Sequence, residues 1–252
     1  MVVLLGPAVL LGMMVLLGPA VPGRAVRPSW AAGPMGGVAR WNDEGDKGDK
    51  GAGMADKERG PRERMVFSAA QLIRRDGVAA TGMRDVVAHA RAPRGSLRHY
   101  FPGGKEQLVN EAVDWAGRYA AGRVARFLAG MPEPSPSRLF AAMAAQWIDE
   151  YGSAGFEAGG CPVAAATVDC SEAAESTREA AAAAFARWTA PVARALADMG
   201  VPAARAEPLA TLMISALEGA ILIARAERDV RALTTVTREL GPLLDAAASP
   251  ST

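Results

Sequence analysis

The stretch from Thr81 to Leu108, TGMRDVVAHARAPRGSLRHYFPGGKEQL, places the strongest constraint on the fold of this chain. Its pattern predicts a short helix, a tight turn and a second short helix, which is the arrangement of a helix-turn-helix that reads DNA. From Arg91 to Lys105 every charged residue is basic. Three glycines would let the backbone come close to a phosphate: Gly95, Gly103 and Gly104.

A core-facing helix is expected before this stretch, from about residue 62 to residue 76, with Gly77 ending it. Four apolar residues follow the 3-4 spacing of a buried stripe: Val66, Ala69, Ala70 and Ile73. Thr81 is expected to be the N-cap of the next helix, residues 82–90. Three residues of that helix should be buried: Met83, Val86 and Val87.

The second helix of the motif is expected to start at Pro93, where the missing N–H does no harm. Leu97 and Phe101 would face the core, residues 102–104 would end the helix, and Lys105 would open a long helix to about Ala129. An arginine can bond both acceptors of guanine, while hydroxyls and lysine can hold phosphates. The candidate DNA-contact set is Thr81, Arg84, Arg94, Gly95, Ser96, Arg98, His99, Tyr100 and Lys105.

Residues 61–130 resemble the N-terminal domain of the TetR/AcrR family of bacterial transcription regulators. The most specific part is RGSLRHYFPGGKEQL, residues 94–108, whose PGGK turn is most similar to the subgroup related to LmrA and YxaF. The family usually has glycine where this chain has Arg91, at a position that often needs a positive φ, which costs other residues about 1 kcal/mol. The turn therefore either differs in geometry or accepts strain and gains a phosphate contact. Relatives often carry tyrosine where Arg98 stands, so their base preference cannot be copied.

The composition predicts an all-α fold, because half of the chain is hydrophobic, only 6% is aromatic, and alanine runs are long. The near-neutral net charge hides an asymmetry. Residues 54–130 carry a net charge of +6, whereas residues 131–252 carry −6. A basic block followed by an acidic one indicates that only the first half meets a polyanion. We therefore expect a three-helix helix-turn-helix domain at 54–107 and a helical ligand-binding and dimerisation domain at 108–248.

Further helices are predicted in the second half of the chain. They cover residues 137–151, a stretch beginning at Pro162, residues 172–199, 203–226 and 230–247. Pro191 is expected to kink the third of these, and Gly241–Pro242 is a possible break in the last. The helix at 203–226 carries an unbroken apolar stripe: Leu209, Leu212, Met213, Ala216, Leu217, Ala220 and Ile221.

The resemblance implies two further sites in these helices. Nine residues lie in segments that wall the effector cavity of the family: Trp115, Tyr119, Met143, Trp147, Tyr151, Cys161, Phe185, Trp188 and Met213. The last two long helices pair between subunits in the family, and the residues expected at this seam are Leu212, Ala216, Gly219, Ala220 and Ile223. Glu218 is either a polar anchor or a dimer contact. Cys161, at a helix N-terminus, is expected to have a lowered pKa, although a buried cytosolic thiol is the commoner case.

No catalytic, metal or cofactor site is predicted. The chain has no GxSxG, HExxH or Walker motif. Cys161 and Cys170 do not form a CxxC pair, and His89 and His99 lack a second ligand at a suitable spacing. The sequence therefore indicates a protein that is not an enzyme.

Residues 1–53 do not fit the rest of the chain. Residues 1–22 are almost wholly apolar, and no basic residue precedes Arg24, which disfavours a signal peptide. The length suits a membrane anchor, but the Gly-Pro pairs make a poor helix. The favoured interpretation is a natural start at Met54, with residues 22–53 disordered.

The leading hypothesis is a cytoplasmic, ligand-responsive repressor that binds a palindromic double-stranded DNA operator as a homodimer. The effector is expected to be a small apolar or aromatic molecule. The alternative is a membrane-tethered DNA-binding or adaptor protein, anchored by residues 2–21. A third and weaker hypothesis is an enzyme built on a helical bundle.

Overall fold

The computed structural model describes residues 60–169 and 175–248. The predictions for residues 1–53 and for Cys170 lie outside these residues. The described part is all-α, as the alanine content predicts. Its helices are α1 Pro61–Ala80, α2 Met83–His89, α3 Leu97–Tyr100, α4 Gly104–Ala129, α5 Pro136–Ala154, α6 Pro162–Asp169, α7 Glu175–Asp198, α8 Ala203–Glu227 and α9 Arg231–Ala248. Short 3-10 turns lie at Arg94–Ser96 and Phe156–Ala158.

Helices α1 to α3 form the N-terminal helix-turn-helix domain. The predicted stripe of α1 is buried, since Val66, Ala69, Ala70 and Ile73 are each at most 6% exposed. Gly77 interrupts α1 with φ 85 and ψ 170, so the predicted end of the helix is confirmed as a break in its geometry. Val86 and Val87 of α2 and Phe101 after α3 close the same core, and Leu97 packs against it half-buried.

The prediction for Thr81 is wrong. The N-cap of α2 is Gly82, in an extended conformation and without a side-chain cap. Thr81 is buried instead, and its hydroxyl donates to the carbonyl of Gly77 at 2.6 Å. The Thr81 hydroxyl therefore donates to a carbonyl at the break in α1 and does not accept from an N–H at the start of α2.

The C-terminal domain is built around α4, which runs from the helix-turn-helix into the second half of the chain. Helix α4 packs along α7, α8 packs on α7 and α9, and α9 packs on α5. Helix α6 lies against α1, α4 and α7 and so connects the two halves. Two large side chains on α5 are fully buried in this domain, Leu139 and Phe140.

The possible break at Gly241–Pro242 is absent, and the proline at which a kink is predicted, Pro191, does not end its helix. Helix α7 continues across Pro191, and α9 continues across Gly241 and Pro242. Gly241 is buried facing Ser137 at the start of α5, so packing against α5 holds the α9 backbone helical there. At Gly241 and Pro242, tertiary packing has overridden the low helix propensity of glycine and proline.

Helix α8 is the one helix of the described ranges that is long and apolar enough to cross a membrane. Met213, Leu217 and Ile221 of this helix are each at most 1% exposed within the domain. A core helix meets the same length and composition criteria, so this feature is weak evidence for a span.

Candidate nucleic-acid interface and internal cavity

The turn between α2 and α3 adopts the strained alternative of the two predicted. Arg91 has φ 48, in the left-handed region that glycine adopts without cost. The N–H of Ala92 donates to the carbonyl of Val87 at 3.1 Å, and that of Arg91 donates to Ala88 at 3.1 Å. These bonds close the end of α2, and Arg91 is left with its side chain exposed to solvent.

The second helix of the motif begins as predicted near Pro93, which is the N-cap of the 3-10 turn. The Ser96 hydroxyl donates to the Pro93 carbonyl at 2.6 Å and fixes this first turn. The backbone then continues as α3 and ends at Phe101, whose N–H donates to Leu97 at 2.8 Å. The Ser96 hydroxyl and the buried Phe101 thus hold the two ends of this short helix.

The predicted DNA-contact residues fall into three groups by exposure. The exposed members are Arg84, Gly95, Arg98 and His99. The half-buried members are Ser96, Tyr100 and Lys105. Thr81 is buried with its hydroxyl engaged, so the structure does not bring its side chain to this surface. The side chain of Arg94 lies outside the described part of the structure.

Two half-buried members of the set have partners inside the protein. The Tyr100 ring meets the His99 ring edge-on, with centroids 4.9 Å apart. The ammonium of Lys105 donates to the carbonyl of Ala79 at 3.3 Å. Both side chains therefore have contacts within the protein, and the Lys105 ammonium lies beside the end of α1.

An internal cavity lies between α4, α5, α6, α7 and α8. Its volume is about 30 Å³, taken as the space open to the centre of a water molecule, which is room for roughly two waters. Most of its wall is apolar or aromatic. The lining residues are Ala116, Gly117, Tyr119, Ala120, Arg123, Phe127, Met143, Gln146, Trp147, Cys161, Val163, Ala184, Trp188 and Leu217.

The structure brings together five of the predicted cavity residues: Tyr119, Met143, Trp147, Cys161 and Trp188. The other four lie elsewhere. Trp115 stacks on Tyr119 with ring centroids 5.4 Å apart and makes an edge-to-face contact with Phe67 of α1 at 5.3 Å. Tyr151 is buried, donating to the Gly159 carbonyl at 3.2 Å. Met213 is fully buried core and Phe185 is half-buried against the core.

The sequence reasoning missed the two polar residues of the cavity wall. The Arg123 Nε donates to Gln146 Oε1 at 3.1 Å, and both residues are buried. The Arg123 guanidinium also lies 4.8 Å from the centre of the Phe127 ring. The spacing could have indicated that Arg123 lines the cavity, because it lies seven residues after Ala116 and three after Ala120, on the same face of α4.

The predicted pKa shift of Cys161 is wrong in direction. Burial and the neighbouring Glu218 carboxyl raise the pKa of the Cys161 thiol well above its ordinary value. The backbone N–H groups of Val163 and Ala164 at the start of α6 act in the predicted direction, but burial outweighs them. A protonated thiol is a poor nucleophile, so this position does not favour oxidation.

Glu218 lies on α8 beside Cys161 and is the most strongly perturbed carboxyl described. Both of its carboxyl oxygens are buried, although the residue is partly exposed along its length. Neither oxygen has a hydrogen-bond partner of good geometry among the described residues. Burial raises the pKa of Glu218 to about 7, and the weakly donating Cys161 thiol offsets this rise only in part.

The predicted dimer residues of α8 divide between two faces. Leu212 and Ile223 are 47% and 49% exposed, and Ala216 and Gly219 lie half-buried between them. Ala220 is 1% exposed and packs inside the protomer with Leu217 and Ile221, so its assignment to the seam is wrong. Ala216, Gly219 and Ile223 follow Leu212 by four, seven and eleven residues, so these four residues share one face of the helix.

Two family models match the chain. The model described as "Bacterial regulatory proteins, tetR family" matches residues 68–112. The model described as "Transcriptional regulator LmrA/YxaF-like, C-terminal domain" matches residues 136–239. Among relatives, the HTH-type transcriptional regulator Rv0196 of Mycobacterium tuberculosis is 44% identical over 190 residues, which are 73% of this chain and 94% of that protein. The HTH-type transcriptional regulator LmrA of Bacillus subtilis is 27% identical, over 73% of this chain and 96% of its own.

Solved structures match the fold at lower identity. A TetR transcriptional regulator from Legionella pneumophila aligns with a TM-score of 0.63 at 20% identity, covering 74% of this chain and 98% of that one. A TetR-family transcriptional regulator from Streptomyces coelicolor aligns with a TM-score of 0.60 at 21% identity, covering 75% and 96%. These alignments agree with the all-α fold of a helix-turn-helix followed by a helical domain.

Proposed function

This chain belongs to the TetR family of DNA-binding transcription regulators, and from that premise we propose that it acts as a homodimeric, ligand-responsive repressor on a palindromic operator. Residues 54–107 are the DNA-binding domain in this proposal, and residues 108–248 bind the effector and form the dimer. The protein acts in the cytoplasm, where the operator is. No catalytic step is required of it.

The exposed basic surface around α3 is the observation that carries the proposal. Arg84 on α2 and Arg98 on α3 are both exposed. His99 and Gly95 lie beside Arg98 with no acidic neighbour on α3. A short helix with this surface fits the major groove, where an arginine can bond O6 and N7 of guanine. Arg91 before α3 and Lys105 after it in the chain are the residues proposed to neutralise phosphates.

Dimerisation follows from the outer face of α8. Its exposed Leu212 and Ile223, with the small residues Ala216 and Gly219 between them, form an apolar strip that allows close approach of a second helix. Leu243 of α9 is 65% exposed as well. A two-fold axis through this face would present two reading heads, which is the symmetry that a palindromic operator requires.

Induction is proposed to begin in the internal cavity. A volume of about 30 Å³ is far below the roughly 300 Å³ of an ordinary ligand pocket, so a ligand must widen the cavity to enter. Only a ligand that binds the widened conformation more tightly can shift the protein away from DNA. Helix α4 couples the cavity to the DNA-binding surface in this proposal. It carries both Tyr119 of the cavity wall and Lys105 of the DNA-contact set, about 21 Å apart along the helix.

Selection of duplexes from a random pool tests DNA binding directly. We expect the full-length protein to enrich one palindromic sequence, and footprinting to find that sequence at the promoter of its own gene or of the divergent neighbour. Arg98→Ala should weaken binding to the selected duplex, whereas Arg238→Ala, an exposed arginine of α9 paired with Glu239, should not. A pool without enrichment would refute the proposal, and an unchanged gel shift for Arg98→Ala would refute the assignment of the reading helix.

A further inference from the structure

Arg74 is a fully buried arginine in the DNA-binding domain, and its partners belong to the other domain. It lies in α1 one turn before the break at Gly77 and is 1% exposed. Its Nε donates to the Gly160 carbonyl at 3.1 Å, and its Nη1 donates to Glu150 Oε1 at 3.1 Å. Glu150 is 2% exposed, so the ion pair is closed off from water.

The backbone of α1 is held by the same loop. The N–H of Gly160 donates to the Arg74 carbonyl at 2.9 Å, so Arg74 and Gly160 are joined by two reciprocal hydrogen bonds. Gly159 has φ 87, and a Cβ there would lie 2.2 Å from the Arg74 carbonyl oxygen. Only glycine allows this approach, because any side chain would push the loop away from α1.

A second attachment lies at the other end of α6. The Asp169 carboxylate accepts from the N–H of Val78 at 2.6 Å and from that of Ala79 at 3.4 Å, just after the break in α1. Helix α6 is therefore fastened to α1 both before its first residue and at its last. A displacement of α6 must either break these bonds or carry the end of α1 with it.

The same elements form part of the cavity wall. The Arg74 guanidinium carbon lies 5.4 Å from the centre of the Trp147 ring, and Trp147 lines the cavity. Cys161, next to Gly160, and Val163, in the first turn of α6, line it too. A ligand that widens the cavity at these residues acts directly on the groups that hold Arg74.

We propose that Arg74 is a positioning residue through which occupancy of the cavity sets the orientation of the helix-turn-helix, with α6 as the moving element. This rests on the proposed function. Removing Arg74 from Glu150 would leave a buried charge without its partner, which is strongly unfavourable. Rotation of α1 together with α6 and the C-terminal end of α5, which carries Glu150, is therefore the easier response to a widened cavity, and it changes the placing of α3 on DNA.

A double-mutant cycle on the full-length protein tests this without an identified effector. Ala116, a cavity residue 1% exposed, is replaced in Ala116→Leu so that the new side chain crowds the cavity as a ligand would. Arg74→Met with Glu150→Met removes the ion pair without leaving a buried charge unpaired. Affinity for the selected duplex is measured by fluorescence anisotropy for the parent, each variant and the combination.

With Arg74 in place, Ala116→Leu should weaken DNA binding by about five-fold or more, the lower range of allosteric coupling. In the Arg74→Met/Glu150→Met background the same change should have less than about half that effect. The matched control is Arg62→Met, which removes the exposed ion pair between Arg62 of α1 and Glu111 of α4 and should leave the coupling intact.

An equal effect of Ala116→Leu in both backgrounds would overturn the proposal, as would no effect in either or an equal loss of coupling in Arg62→Met. A pool that enriches no duplex would instead refute the proposed function. Circular dichroism melting establishes that each variant is folded. Arg74→Lys, which keeps the charge but loses the fork geometry, is the second variant if the double methionine variant does not fold, and it should also reduce the coupling.

Discussion

The buried carboxyl of Glu218 makes the stability of this protein depend on pH in a window that can be worked out. In the folded protein the pKa of Glu218 is raised from an ordinary value of 4.5 to about 7, mainly because burial disfavours the charged form. The Cys161 thiol opposes this rise only in part, because a thiol is a weak hydrogen-bond donor. Glu218→Gln replaces the carboxyl with a neutral group of the same shape.

The sign follows from proton binding in the two states. Between pH 4.5 and about 7 the folded state holds a proton on Glu218 that the unfolded state has released, so stability falls as the pH rises. Below this window both states are protonated and the effect vanishes. The rise of the pKa from 4.5 to about 7 corresponds to about 3 kcal/mol, at 1.36 kcal/mol for each tenfold change in the ionisation constant. Glu218→Gln should therefore be more stable than the parent at pH 8 by up to about 3 kcal/mol, and close to it at pH 4.5.

Urea denaturation at fixed protein concentration, followed by circular dichroism from pH 4.5 to pH 8.5, measures this difference. The control is Glu239→Gln, which removes an exposed carboxyl of α9 and changes the net charge equally. A stability difference between Glu218→Gln and the parent that stays constant across this range would refute the reasoning. So would the same pH-dependent difference in Glu239→Gln, because the effect would then come from net charge.

Three further predictions concern DNA binding, assembly and the turn. Lys105→Ala should weaken binding to all duplexes alike and lower the salt slope by about one, whereas Arg98→Ala should cost about 1–3 kcal/mol on the selected duplex; gel shifts over a salt series separate the two. Ala216→Arg should give a monomer in light scattering with reduced operator affinity, and a persistent dimer would move the interface elsewhere. Arg91→Gly should relieve the positive φ, raising the unfolding free energy by at most about 1 kcal/mol, while anisotropy shows weaker DNA binding; unchanged binding would mean that Arg91 contacts no phosphate.

The helix-turn-helix was predictable from sequence because its determinants are local. The stripe of Val66, Ala69 and Ile73 and the break at Gly77 follow from periodicity and glycine placement over a few residues. The positive φ at Arg91 was one of the two alternatives that the family resemblance left open. The wrong prediction for Thr81 also concerns an interaction between residues close in the sequence. A threonine between two helices can satisfy either end, and only the observed bond to the Gly77 carbonyl decides which.

The cavity and the seam were predictable only in part, because they depend on which neighbour each face meets. The apolar stripe of α8 is wider than one interface, so its period does not separate Ala220, inside the protomer, from Ala216, on the outer strip. Met213, which was expected to line the cavity, is likewise buried in the core. The family resemblance predicts which helices surround the cavity, but which of their residues face it depends on how the helices pack.

Buried polar groups gather at the loop before α6. The carbonyl of Gly159 accepts from the Tyr151 hydroxyl, Gly160 is joined twice to Arg74, and Cys161 lies beside the unsatisfied carboxyl of Glu218. The contacts of Gly159 and Gly160 are satisfied hydrogen bonds, whereas the buried carboxyl beside Cys161 has no such partner, which is an unfavourable placement. Natural proteins retain such unfavourable placements mainly at functional sites. Because this loop contacts both α1 and the cavity wall, the unsatisfied carboxyl lies beside the segment that is proposed to carry cavity occupancy to α1.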